Sequence, residues 1–233
     1  MKSIINKIAI VILLGTCLAF TSPIKEPMVV FKAIKMVSYN DTTVISKVFN
    51  SIAFLLEPTD IPDVTPCIKI KDGNLILNSL PLKYNPYLRM YTDSLLRGDI
   101  SEIKWQLIGS TNYINNTYTV TKPIPTFTKI NLLPKTISKS QPLIINLGTL
   151  TGVDKVEFTI NNQQILANMP FYKKMDANKG PIIISKENLA YLDPTKDSEI
   201  RIAFIAEEQR EINGKIYLFE NRLEILKAVK LTN

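Results

Sequence analysis

The sequence predicts a mainly β protein: an antiparallel immunoglobulin-like sandwich in the C-terminal half and a β-rich N-terminal half that holds one helix. Three observations carry this. Short runs rich in Ile, Val, Phe and Thr recur along the chain, several of them alternate apolar and polar residues, and Asn-Gly and Asp-Gly pairs punctuate them. In Lys155-Val156-Glu157-Phe158-Thr159-Ile160 the apolar side chains fall on one face, as a half-buried strand requires. The chain has 233 residues, 45% of them hydrophobic and 21% charged, which is enough apolar material for a core and too little charge for disorder.

Residues 1–22 read as a secretory signal. Lys2 and Lys7 precede the apolar run Ile8–Leu14, and small or apolar residues lead to Ser22 and Pro23. The stretch from Ile8 to Phe20 is shorter than the ~20 residues a helix needs to cross a bilayer. Two exits fit: cleavage after Ala19 or Thr21, or lipidation at Cys17, because Leu14-Gly15-Thr16-Cys17 resembles a bacterial lipobox. Either places the protein outside the cytoplasm, in the periplasm, outer membrane or cell surface. Of the 28 basic residues the leader takes Lys2 and Lys7, leaving 26 against 21 acids. The remaining lysines are scattered singly, so the excess speaks for solubility and against nucleic acid as a partner.

Residues 23–122 form the expected N-terminal domain. Met28–Val37 reads as a strand. Val44, Ile45, Val48, Phe49, Ile52, Leu55 and Leu56 fit the stripe of an amphipathic helix with Asp41 as its cap, although their β-branched content argues for a strand. Residues 67–71 and 74–77 form a hairpin around Asp72-Gly73, and strands follow within 88–96, 102–108 and 113–122. Pro123 and Pro125 then impose an extended path and mark the boundary. Residues 123–233 form the expected sandwich, with strands within 141–147, 154–161, 181–185, 198–206 and 215–232. Asn213-Gly214 supplies a tight turn, Asn161-Asn162 a second, and Ser185 caps a short helix that Asp193-Pro194 stops.

Chemistry is restricted from the outset. The chain has no histidine, which removes Ser-His-Asp and Cys-His catalysis and His-liganded zinc. Cys67 stands alone once the leader is gone and reads as a small inert hydrophobe. Trp105, the sole tryptophan, reads as the residue around which a small β unit packs. Glu207, Glu208 and Glu211 read as a solvated loop rather than a glycosidase pair, and Asp193, Asp197 and Glu199 lack the Gly-bearing loop of a calcium site. No cofactor or metal is expected. The densest aromatic group, Tyr84, Tyr87 and Tyr91 with Arg89, has the residue types that interfaces concentrate and is the candidate partner-binding surface.

Residues 105–109, 123–127, 187–189, 214–219 and 229–233 resemble the recurrent architecture of exported Bacteroidetes lipoprotein-type envelope β-sandwich proteins, a group without characterised activity. The resemblance covers roughly residues 65–233. It implies a cell-envelope β-sandwich without known catalysis and supplies no functional residues. Asp41-Thr42-Thr43 and Asp93-Ser94-Leu95 are similar to the O-glycosylation acceptor pattern of that group, at Thr42 and Ser94. The expectation is therefore a non-enzymatic binding or structural protein of the envelope, its partner another envelope protein or a surface glycan, its membrane contact only a lipid anchor. The alternative is a small secreted carbohydrate-active hydrolase using carboxylates only.

Overall fold

A computed structural model describes residues 29–55, 69–70, 73–93, 102–109, 115–162, 172–194 and 197–233. Cys17, Cys67 and Ser94 lie outside the described residues, as do residues 1–22, expected to be a secretory signal.

The organising element is the C-terminal strand β15 (Lys215–Thr232), 18 residues and about 60 Å long. On one side it pairs antiparallel with β14 (Ser198–Ile212) through the Asn213-Gly214 turn, whose positive φ values of 51° and 74° suit this residue pair. On the other it pairs in parallel with β1 (Val29–Asn40), from Val29 opposite Tyr217 to Tyr39 opposite Lys227. The sheet continues outward from β1 to β2 (Thr43–Leu55), β6 (Met90–Asp93) and β5 (Lys83–Asn85), and from β14 to β11 (Lys155–Asn162) and β12 (Tyr172–Asp176). A short strand β9 (Thr136–Ser138) joins the far end of β15 in parallel.

The helix expected over residues 42–56 is a strand. Its buried positions are Phe49, Ser51, Ala53 and Leu55, a period of two that the apparent helical stripe concealed because Ser51 and Ala53 are small inward-facing residues. Thr43, Val44, Ile45, Val48 and Ile52 are β-branched, restricted at χ1 and at ease on a pleated surface. Asp41 is not a helix cap; at φ 56° it turns the β1–β2 hairpin.

One face of the long sheet carries two cores in succession. Tyr217 and Phe219 of β15 join Phe31, Ala53 and Leu55 in the first. This core is closed by a second sheet of β4 (Leu80–Pro81), β3 (Asn74–Leu77), β7 (Ile103–Ile108) and β8 (Asn116–Val120), which contributes Leu75, Trp105 and Tyr118. Trp105 is fully buried and stacks on Phe31 at 4.8 Å between centroids, as its reading as a packing centre requires.

Leu223, Ile225, Val229 and Leu231 of the same β15 face belong to the second core, with Phe158, Ile202 and Phe204. Opposite them lie β10 (Leu143–Ile145), β13 (Ile182–Ile184) and the helix α1 (Lys186–Ala190), an arrangement that fits a β-sandwich. Ser185 caps α1 by accepting from the Asn188 N–H at 3.3 Å. The chain passes from one core to the other at Lys122-Pro123-Ile124-Pro125. Ile124 packs against both cores, and the buried Asn221 at the midpoint of β15 donates to the Lys122 carbonyl. The protein is thus mainly β, its sheets antiparallel apart from the parallel pairings of β1 and β9 with β15, and β15 lies beneath both cores. Among the described residues no helix is long and apolar enough to cross a membrane.

Candidate functional site

The tyrosine group sits on the β5–β6 hairpin at one end of the long sheet. Tyr84 faces Tyr91 and Asn85 faces Met90, which leaves Pro86-Tyr87-Leu88-Arg89 as the tip. The Asn85 side chain holds this tip by accepting from the backbone N–H groups of Tyr87 and Leu88, both at 3.0 Å. Arg89 closes the turn at φ 49°.

The four candidate residues divide by environment. Tyr91 is 5% exposed and belongs to the first core; its hydroxyl accepts from the Ile70 N–H at 2.6 Å. Burial pushes the Tyr91 phenol above its ordinary pKa, partly opposed by that hydrogen bond. Tyr84 is half-buried against Tyr91, at 5.2 Å between ring centroids. Tyr87, by contrast, is 94% exposed, and Leu88 and Arg89 beside it are exposed too. The tyrosines therefore do not form one surface: Tyr84 and Tyr91 brace the hairpin from below, while Tyr87, Leu88 and Arg89 are displayed. Thr42 lies exposed on the β1–β2 turn.

The acids read as a solvated loop are in fact part of β14. Glu207 pairs with Lys155, and Glu208 pairs with Arg210 while accepting from the N–H and hydroxyl of Thr121, each at 3.0 Å. Burial works to raise the Glu208 carboxyl, but these donors outweigh it and hold it below the usual range. A glycosidase acid needs the opposite, a carboxyl kept protonated near neutrality. Burial does raise Glu199, which disfavours the charged form a cation would need. Among the described residues no three acids or cysteines group as a metal site.

The polar face of β15 is the feature sequence reading missed. Alternation there implies solvent, yet Glu220, Arg222 and Glu224 are 5%, 8% and 2% exposed. Arg222 bridges Glu157 and Glu220, the latter at 2.9 Å, and lies 3.4 Å from Glu224. Lys32 on β1 reaches Glu220 at 3.0 Å, and Arg201 on β14 reaches Glu224 at 2.5 Å. The i, i+2 spacing of Glu220, Arg222 and Glu224 was a readable signal for one ladder. Its complements on β1, β11 and β14 needed the register. On the opposite face Lys227 is fully buried and donates to the carbonyls of Leu133 at 2.8 Å and Ile130, the residues of a single 3-10 turn.

A half-open cleft of about 330 Å³ lies between the β10–β11 and β12–β13 loops, lined by residues including Asn146, Val156, Met175 and Asn178. Its two asparagines are committed locally. Asn146 accepts from the Gly148 N–H, and Asn178 both accepts from and donates to the Leu150 backbone. Among the described residues no aromatic ring lines it. No family model, curated protein or solved structure matches the chain.

Proposed function

We propose that this chain is an exported cell-envelope protein with a binding or structural role rather than a catalytic one, its C-terminal unit an immunoglobulin-like sandwich, its partner another envelope protein or a surface glycan met at the β5–β6 tip. The observation that carries the reading is the display of Tyr87, Leu88 and Arg89 on a turn fixed by Asn85 and braced by Tyr84 and Tyr91. A tip whose backbone is already held by Asn85 has less backbone entropy to lose on binding, and aromatic and Arg side chains dominate interface energetics. The basic n-region and apolar run of residues 1–22 support export, ending either in cleavage or in lipidation of Cys17. The order β12-β11-β14-β15 opposite β10-β13, with β9 parallel to β15, supports the immunoglobulin-like assignment.

The test combines mass spectrometry of the mature N-terminus with site-directed photo-crosslinking from the tip in intact cells. Removal of the leader, with Tyr87→Ala and Arg89→Ala each reducing capture of one envelope component at least tenfold at an unchanged melting temperature, is the expected outcome. An intact Met1 on a cytoplasmic protein overturns export. Undiminished capture in both variants overturns the tip, and glycan hydrolysis that is lost in Glu207→Gln or Glu208→Gln overturns the non-enzymatic role.

A further inference from the structure

The β5–β6 hairpin points toward the end of the long sheet at which the described chain begins. Val29 pairs with Leu55, Ala53 with Tyr91 and Ser51 with Asp93. Passing from Asp93 through Tyr91 to the tip therefore runs in the direction from Ser51 to Leu55, toward Val29. Residues 1–28 join the sheet at the end to which Tyr87 and Leu88 project. In the lipidated form of the export reading, Cys17 stands twelve positions before Val29, a stretch that spans at most about 40 Å when fully extended. An anchor there and the tip would share one end of the molecule.

The chemistry of the tip suits an apolar layer beneath a charged one. Tyr87 and Leu88 are 94% and 58% exposed and adjacent on the turn. Backbone groups resist leaving water unless they are hydrogen-bonded within the protein. Here Pro86 has no N–H, and the N–H groups of Tyr87 and Leu88 both donate to the Asn85 side chain at 3.0 Å. Three successive tip residues thus carry no backbone donor that water must satisfy. A phenol ring fits the boundary between acyl chains and headgroups, because its faces are apolar and its hydroxyl is polar. Lys83 and Arg89 flank the turn, both exposed, and residues 82–92 contain no acid. Such long basic side chains lay their stems along apolar surface and lift the charge to the level of anionic lipid phosphates.

We infer that the β5–β6 tip seats in the headgroup layer of an anionic bilayer, with Tyr87 and Leu88 at the acyl boundary and Lys83 and Arg89 on lipid phosphates. The inference rests on the tip being the contact surface and goes beyond it: the bilayer is the surface that carries the proposed protein or glycan partner, and lipid contact brings the tip to that level. It also gives the tip a purpose beside Cys17. One acyl chain holds a protein only marginally and reversibly, and a second signal with basic character makes the attachment stable.

The probe is a pair of vesicles, pure phosphatidylcholine and equimolar phosphatidylcholine and phosphatidylglycerol, sedimented with the full mature chain from Ser22, which carries no acyl group. Binding to the anionic vesicles is expected to exceed binding to the neutral ones at least about tenfold, and to fall about fivefold in Arg89→Gln. Tyr87→Ala is expected to weaken it as well, with the melting temperature unchanged in both variants. Placement is read from Tyr87→Trp: lipid brominated near the top of its acyl chains is expected to quench that variant and to spare the wild type, whose sole tryptophan, Trp105, is fully buried. Three results overturn the inference: no partition into anionic vesicles, equal partition into both kinds, or partition that leaves Tyr87→Trp unquenched. Crosslinking to a protein or glycan that persists without vesicle binding overturns the lipid contact alone. Vesicle binding without such capture upholds the lipid contact and overturns the protein or glycan partner.

Discussion

Trp105 and Arg222 are both buried, and they stabilise this fold by different means. Trp105 contributes apolar area and ring contacts at the centre of the first core, although its Nε1–H has no hydrogen-bond partner among the described residues. Trp105→Ala is therefore expected to cost ~3–5 kcal/mol in urea unfolding. Arg222 is worth little as an ion pair in itself, because desolvation offsets attraction, but removing it takes away the one cation that Glu157, Glu220 and Glu224 share and leaves these buried acids only Lys174, Lys32 and Arg201 at the rim. Arg222→Met is expected to cost about 3–5 kcal/mol at pH 7. Burial tends to raise Glu157 and Glu220, yet their basic neighbours outweigh it and hold both below the usual carboxylate range. Such a group stabilises the fold above its unfolded pKa, about 4.3 for Glu, and loses that contribution as pH falls through the folded value. The difference between wild type and Arg222→Met should accordingly shrink below about pH 4; a gap that stays constant to pH 3 would show that the cost is lost packing and not lost pairing with the carboxylates.

Elements record how far the sequence could be read. The β14–β15 turn was legible because Asn213-Gly214 has a conformational requirement of its own. Gly214 sits at φ 74° with open space where a Cβ would project, so Gly214→Ala meets no clash but does meet left-handed strain. A loss of ~1–2 kcal/mol is expected from thermal denaturation, and no loss would mean that the turn rearranges. β2 was misread because a hydrophobic spacing compatible with a helix is also produced by a strand whose inward positions include Ser51 and Ala53. The tyrosine hairpin was legible in composition but not in orientation. Nothing local in Tyr84-Asn85-Pro86-Tyr87 says that Tyr91 turns inward to meet the Ile70 N–H, since that contact spans 21 residues. Tyr91→Ala is on this account a core deletion, costing about 3 kcal/mol or more, whereas Tyr87→Ala should leave the melting temperature unchanged.

At the scale of the whole molecule, the two cores share one strand. Tyr217 and Phe219 serve the first core and Leu223 and Ile225 the second, with Asn221 between them holding the crossing segment at Lys122. A boundary marked by Pro123 and Pro125 in sequence is thus crossed in space by a parallel pairing, β1 with β15, that joins residues nearly 200 positions apart and that no local pattern announces. This has a thermodynamic consequence. If the first core opens, β15 loses its β1 partner from Tyr217 to Lys227, which includes the register positions of Leu223 and Ile225 that anchor the second core. The cores should therefore unfold together despite their separate apolar clusters. Trp105→Ala in the first and Phe204→Ala in the second are each expected to lower one common calorimetric transition, and their effects to add, since the two side chains belong to different clusters. Two resolved transitions, each moved by only one of the substitutions, would mean that β15 can release one core while holding the other.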